Sequence, residues 1–271
     1  MKRARIGTLG LVAVVGSLIA AACGSDESAN STLPDVPPTV ALGGVPAEPT
    51  PISSTIVPET VAPPTTQPEP EPITAPVGDV ADGDRLLLVG DSAMLTLTPR
   101  ADGIACEVLT GLGWQVGIEA ELGRYISFAD EVVDELVIDV ADDWQVIGLM
   151  FGHHLDTTPD EFGTALDEVL DTIGSVPVLL YTRSEVDETS AELNEVIRRR
   201  ATDRSNVVLV DWGRSVVEEQ ELELVDADGL PTVAGMERIT LLTAGALGES
   251  PSGGGGLCFE PTFTDDSAII V

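Results

Sequence analysis

The chain has 271 residues, and its 46 acidic and 13 basic side chains give a formal net charge of -33 at pH 7. This charge argues against nucleic acid as a partner, because contact with a phosphate backbone needs a basic surface. The acidic surface favours solubility over a specific cationic partner. The length allows one domain of ordinary size together with additional segments.

Residues 1–22 have the pattern of a secretory signal peptide, in which basic residues precede an apolar run that ends in small residues. Cys23 follows directly, as in a bacterial lipobox, where the cysteine is diacylated and becomes the mature N-terminus; Ala20 stands where leucine is commoner. An uncleaved membrane anchor and cleavage without a lipid remain as alternatives. We therefore expect a protein held at the extracytoplasmic face of the cell membrane, attached to the lipid bilayer through Cys23.

Residues 23–80 have the composition of a disordered tether. Between positions 24 and 80 lie 13 of the 19 prolines, and this stretch has no lysine, arginine or aromatic residue. Such a segment cannot bury enough apolar surface to offset the entropy lost on ordering. The function is therefore expected in the residues that follow.

Residues 81–248 are predicted to form the folded domain, because five apolar strands alternate with helical patterns. The strands are predicted at Leu86–Val89, Trp114–Glu119, Trp144–Phe151, Val176–Tyr181 and Asn206–Asp211. The helices are predicted at Ala101–Leu112, Phe128–Ile138, Pro159–Ile173, Glu188–Thr202 and Thr232–Leu247, with a loop before the last one. This alternation predicts an α/β protein of flavodoxin-like type, a three-layer α/β/α sandwich around a five-stranded parallel sheet.

The glycine-rich tail, residues 249–271, contains Cys258 in a short stretch that can dock back onto the domain. Cys106 and Cys258 remain after lipidation of the first cysteine, so they are a candidate disulfide in an oxidising compartment. Two buried thiols that never meet are the alternative. The remaining cysteines and two adjacent histidines show no metal-ligand spacing, and we expect neither a metal nor another cofactor.

The strand that ends at Val89 leads into Gly90-Asp91-Ser92, which places a serine at the carboxyl end of a buried strand. Ligands bind outside this edge in open parallel sheets. The alternative is an ordinary helix cap, since Asp and Ser are both common there. Further polar signatures follow other strands: Gly123, then Gly152-His153-His154, with Asp228 just before the last helix.

Together these blocks resemble the SGNH (GDSL-type) hydrolase superfamily, over residues 84–247. The resemblance is closest to periplasmic SGNH domains attached to membrane acyltransferases that O-acetylate cell-surface sugars. Those domains carry Gly-Asp-Ser-Val-Met-Leu, Gly-Arg and Val-Asp-Trp blocks. The counterparts here are Gly90-Asp-Ser-Ala-Met-Leu95, Gly123-Arg124 and Val210-Asp-Trp212.

The resemblance implies that Ser92 is the nucleophile and that the amides of Ser92 and Gly123, together with position 154, form an oxyanion hole. Asp91, Gly152 and His153 accompany this group, although the His153 side chain is expected to point away from it. Position 154 is His where the family has Asn. The Asp-x-x-His motif reads Asp228-Gly-Leu-Pro231, so the usual base is missing.

Two functions follow from these departures. The first is a monomeric surface lipoprotein with impaired catalysis that binds an envelope glycan or an acyltransferase partner. The alternative is an active serine ester hydrolase, an O-acyl esterase of envelope sugars, in which His154 replaces the missing base and Asp228 orients it. A serine hydroxyl without an adjacent base is a weak nucleophile, so Pro231 favours the first function, in which His154 bonds to Ser92 without catalysis. The retained Gly90-Asp91-Ser92 and Gly123 favour catalysis or its recent loss.

Overall fold

The apolar strands of the sequence form one parallel sheet in the computed structural model, which describes residues 72–139 and 144–264. The strands are β1 (Arg85–Gly90), β2 (Gln115–Ala120), β3 (Val146–Met150), β4 (Val178–Tyr181), β5 (Val207–Val210) and β6 (Leu257–Cys258). Their order is β5-β4-β3-β1-β2-β6, and each neighbouring pair is parallel. The predicted α/β class is confirmed.

Helices follow most of the strands. They are α1 (Ser92–Leu95), α2 (Ala105–Gly111), α3 (Ser127–Val132), α4 (Pro159–Ile173), α5 (Glu188–Thr202), α6 (Trp212–Glu218) and α7 (Val233–Leu247). A π-helical segment, Val133–Asp139, continues α3. The bounds predicted for α4 and α5 are confirmed, and a capping box fixes the first turn of each helix.

The helices cover both faces of the sheet. In β1, Leu86 and Leu88 pack into one apolar cluster with residues of α1, α2, α6 and α7. Leu87 and Val89 point to the other face and pack with residues of α3, α4 and α5. All four side chains are buried, as expected for a central parallel strand. The predicted three-layer arrangement is confirmed.

The prediction of five strands was wrong, because the described residues contain a sixth. Strand β6 pairs at the edge of the sheet, where Leu257 aligns with Gln115 and Cys258 aligns with Val116 of β2. A disulfide joins Cys258 to Cys106 of α2, with Cα atoms 5.8 Å apart, so the predicted pairing is present. A two-residue strand in a glycine-rich segment is too short to show alternation, which is why the sequence pattern does not reveal it.

Ordered structure extends beyond residues 81–248 on both sides. Val77 is fully buried, and the Ile73 amide donates a hydrogen bond to the Ser205 carbonyl. Beyond α7, Phe259 packs edge-on against Trp144, with ring centroids 5.7 Å apart. Parts of the predicted tether and tail therefore contribute to the folded unit.

The predicted signal peptide, Cys23 and most of the tether lie outside the described residues. None of the helices within residues 72–139 and 144–264 has the length and apolar character needed to cross a bilayer.

Two helix predictions also differ from the structure. Of the stretch Ala101–Leu112 only α2 is α-helical, because a 3₁₀ turn and the left-handed Asp102 precede it. The loop predicted after β5 contains α6, whose Trp212 is fully buried and donates its indole N–H to Ser184 Oγ. Helices of one or two turns that are held by a single large side chain contain too few residues to show a helical periodicity in the sequence.

The register of the central strands brings three carboxyl ends level. Gly90 of β1 aligns with Ala120 of β2 and with Met150 of β3. The residues that follow each of these strands therefore emerge at one edge of the sheet. The predicted polar blocks meet there.

Candidate active site

Ser92 begins α1 at the point where β1 ends, and its side chain is 2% exposed. Asp91 caps the helix, because its Oδ1 accepts the Ala93 amide at 3.0 Å. The turn requires glycine at position 90: a Cβ there would lie 2.4 Å from the Met94 Cβ and 2.6 Å from the Met150 carbonyl oxygen. The tight turn thus holds the serine against the end of β3.

Two groups contact the Ser92 hydroxyl. The Gly123 amide donates to Oγ at 2.9 Å, and His154 Nε2 lies 3.0 Å from the same atom. When the imidazole carries its proton on Nδ1, Nε2 accepts the hydroxyl proton, and the second lone pair of Oγ faces the Gly123 N–H. A serine between a base and an amide donor is the arrangement that acyl transfer requires.

The surroundings of His154 favour the neutral imidazole. Burial lowers its pKa below the ordinary value of 6.5, and the positive charge of Arg183 lowers the pKa further. A neutral ring is the form that can take a proton from Ser92 at pH 7. The structure thus places His154 beside Ser92.

A pH profile of turnover should reflect this shift. Activity needs neutral His154, so kcat/KM should fall as the pH falls through its lowered pKa, and the acid limb should have its midpoint below pH 6.5. Arg183→Gln removes a positive charge, so the limb should move upward. A limb above pH 6.5, or one that Arg183→Gln moves downward, would contradict this assignment of the base.

Asp91 connects the serine turn to the loop after β3. It is fully buried, and its Oδ2 accepts the His153 amide at 2.8 Å while its Oδ1 holds the α1 cap. Burial raises its pKa to about 6, although backbone amides, Gly152 among them, favour the charged form. Asp91 thus acts as a positioning residue that fixes Ser92 relative to the two histidines.

His153 lies beside the dyad. Its ring packs edge-on against the His154 ring, with centroids 4.8 Å apart. Burial lowers its pKa to about 4, and the charges of Asp226 and Asp228 oppose that shift. In the described part of the chain its side chain makes no hydrogen bond, and its contribution to the site comes from its amide and its ring contact.

The structure does not bring Asp228 to His154, which corrects the predicted orienting role. Asp228 is exposed, and its amide donates to Asp226 Oδ1 at 2.9 Å in a turn that also binds the Leu230 amide. Pro231 is buried and forms an antiparallel bridge with Val225. The turn of residues 226–231 is closed on itself by these bonds, and its electrostatic influence falls on His153 rather than on His154.

Gly152 has a φ of +106°, and a Cβ there would lie 2.6 Å from Leu193 Cδ2. The glycine therefore allows the loop after β3 to turn beneath α5 and deliver both histidines. Arg183, which follows β4, also acts on this loop through its charge, although no motif in the sequence marks it. Its position just past a strand at the same edge was the available signal.

The described residues contain no group of three or more His, Cys, Asp or Glu side chains arranged to hold a metal ion.

The chain is similar to O-acetyltransferase OatA of Staphylococcus aureus (strain NCTC 8325). The two are 29% identical over 126 residues, which make up 46% of this chain. A protein of Slackia heliotrinireducens assigned to the SGNH hydrolases is 22% identical, with a TM-score of 0.48, over 62% of this chain and all of that one. The chain spans 19% of the length of the Staphylococcus relative. No protein-family model matches.

A second solved structure is the C-terminal catalytic domain of the peptidoglycan O-acetyltransferase OatA of Streptococcus pneumoniae, bearing a methylsulfonyl adduct. It is 19% identical to this chain, with a TM-score of 0.48, over 62% of this chain and 98% of that one.

Proposed function

We propose that the domain cleaves O-acyl esters of an extracytoplasmic glycan by a Ser92–His154 dyad. One observation carries the proposal: Ser92 Oγ lies 3.0 Å from His154 Nε2 and 2.9 Å from the Gly123 amide. The choice of an O-acyl ester rests on the similarity to O-acetyltransferase OatA, and the choice of a glycan as its carrier rests on the sequence resemblance to domains of sugar O-acyltransferases. Hydrolysis and transfer share the same first half-reaction, and they differ in whether water or a sugar hydroxyl accepts the acyl group.

The reaction proceeds through an acyl-enzyme. Ser92 Oγ attacks the ester carbonyl while its proton moves to His154 Nε2, and the Gly123 N–H stabilises the negative charge on the carbonyl oxygen. His154 then returns the proton to the leaving alkoxide. Water, deprotonated by His154, attacks the acyl-serine, and the free acid leaves as Ser92 regains its proton.

This dyad should be slower than a triad. Within the described residues no carboxylate accepts a hydrogen bond from His154, so none of these residues acts as the triad's acid to fix the tautomer and stabilise the imidazolium that forms. Loss of that function from a serine triad lowers kcat by about 10⁴. We therefore expect measurable but low turnover, and efficient covalent capture by reactive reagents.

The test is labelling of residues 72–271 by a fluorophosphonate, together with turnover of a short aryl acetate. Wild type should label and turn over, and Ser92→Ala should do neither. Ser252→Ala is the matched control, because the exposed Ser252 hydroxyl bonds to Asp84, which precedes β1 at the opposite edge of the sheet. Labelling that survives in Ser92→Ala, or its absence from wild type, would defeat the hydrolase proposal.

A second candidate function is binding without turnover, to an envelope glycan or an acyltransferase partner. The observation in its favour is Pro231, which is buried where the resemblance expects the catalytic histidine. Wild type that neither labels nor turns over above the Ser92→Ala background supports this candidate.

We also propose that Cys23 attaches the protein to the membrane through a lipid, on the sequence pattern alone. Incorporation of an alkyne fatty acid into the full chain, and its loss in Cys23→Ser, tests this attachment. Incorporation that persists in Cys23→Ser would refute it.

A further inference from the structure

Arg183 reaches the catalytic edge from the loop after β4. The buried Asn194 fixes its backbone on both sides: Asn194 Oδ1 accepts the Arg183 amide at 2.9 Å, and Asn194 Nδ2 donates to the Arg183 carbonyl at 3.0 Å. Its side chain runs beside the loop that carries the histidines, because Arg183 Cδ lies 3.7 Å from where a Cβ on Gly152 would be. The backbone is thus fixed, and the side chain starts beside the loop that carries the histidines.

Among the described residues, the Arg183 guanidinium has no hydrogen-bond or ion-pair partner. Its Nε is buried and makes no hydrogen bond, and none of the ion pairs of the described residues includes it. Arg198, by comparison, pairs with Glu185, Glu195 and Asp211. Burial lowers the pKa of Arg183, which means that removing the charged guanidinium from water is energetically unfavourable here.

The acids that influence Arg183 are already engaged elsewhere. Asp91 uses one carboxylate oxygen for the Ala93 amide and the other for the His153 amide. Asp187 Oδ1 accepts the Ser190 amide at the start of α5. A structural arginine would be expected to satisfy such carboxylates directly, whereas Arg183 stays unpaired among the described residues, beside the loop that carries the histidines.

We propose that Arg183 binds a carboxylate carried by the ester substrate. A guanidinium can donate two parallel hydrogen bonds to a carboxylate, which gives both affinity and orientation. In a chain of net charge -33 an anionic substrate needs such a local cation. The carboxylate belongs either to the alcohol portion, as in an acidic sugar, or to the acyl portion. The inference deepens the proposed function and names its substrate class.

Turnover of matched esters tests the proposal. The alcohol arm compares 4-acetoxybenzoate with 4-acetoxybenzamide, and the acyl arm compares monophenyl adipate with phenyl hexanoate. In one arm the anion should have a kcat/KM about 10 to 100 times higher than its neutral match, mainly through KM. Arg183→Gln should remove this preference and Arg183→Lys should keep part of it. Arg214→Gln is the control, since Arg214 is exposed and pairs with Glu218.

Binding without catalysis separates this inference from the proposed function. Calorimetry on Ser92→Ala uses the amide analogues of the two anionic esters and of their neutral matches. The anion in one arm should bind about tenfold more tightly, and a further Arg183→Gln change should abolish the difference.

The outcomes distinguish the two claims. Preferential binding in a protein that shows no turnover would support the carboxylate site and refute the hydrolase. Turnover without an anion preference, or with a preference that survives Arg183→Gln, would overturn the carboxylate site alone. Absence of both turnover and preferential binding would overturn both.

Discussion

His154→Asn is expected to lower kcat for an aryl acetate by about 10² to 10⁴, the range that a positioned general base contributes. The change is informative because the resemblance places asparagine at this position. An asparagine amide can still donate to Ser92 or to an oxyanion, but it cannot accept and return the serine proton at neutral pH. The variant therefore separates the base from the hydrogen-bonding role of residue 154.

Two further measurements make this prediction decisive. Thermal melting should show that His154→Asn remains folded. Imidazole in the buffer should restore part of the turnover of His154→Ala, because that variant lacks only the base. It should restore none of the turnover of Ser92→Ala, because that variant lacks the nucleophile. If His154→Asn keeps or exceeds wild-type activity, residue 154 serves only as an oxyanion or hydrogen-bonding group, and the base must be sought elsewhere.

The parts of the fold that could be predicted from sequence are those with many repeating apolar positions. Helices α4 and α5 each span fifteen residues with a capping signal at the start, and their predicted bounds match the structure. Helix α6 and strand β6 could not be predicted, because seven and two residues show no period. Tertiary contacts, the Trp212 anchor and the Cys106–Cys258 bond, hold these elements instead.

The site divides in the same way. Ser92, Gly123 and His154 follow strands whose register brings their ends together, so a parallel-sheet topology was enough to predict that they meet. Asp228 lies in a turn whose geometry depends on local bonds to Asp226, and strand topology does not determine where such a turn directs its side chains. Arg183 follows β4, and its proposed role is inferred from the absence of hydrogen-bond and ion-pair partners among the described residues, which the sequence does not reveal.

Reduction of the Cys106–Cys258 disulfide is expected to lower the free energy of unfolding by about 3 to 5 kcal/mol. The bond closes a loop with a sequence separation of 152, for which the chain-entropy model gives about 5 kcal/mol, and removal of native disulfides from small secreted domains typically costs about 2 to 5 kcal/mol. Chemical denaturation of the oxidised and reduced wild type measures the difference without changing any residue. The melting temperature should fall by about 10 °C.

The part of the protein that reduction destabilises should show how the disulfide contributes to stability. The bond pins β6 to α2, and the segment after β6 is held by Glu119, whose carboxylate accepts the Thr262 and Phe263 amides. Reduction should therefore increase hydrogen exchange first in β6 and residues 259–264, while β1 and β3 stay protected until global unfolding. Because the Ser92–His154 contact lies at strands β1 and β3, reduced protein should retain its turnover below the melting temperature. Equal stability of the two forms, or loss of turnover on reduction of a folded protein, would contradict this division between the edge strand and the catalytic edge.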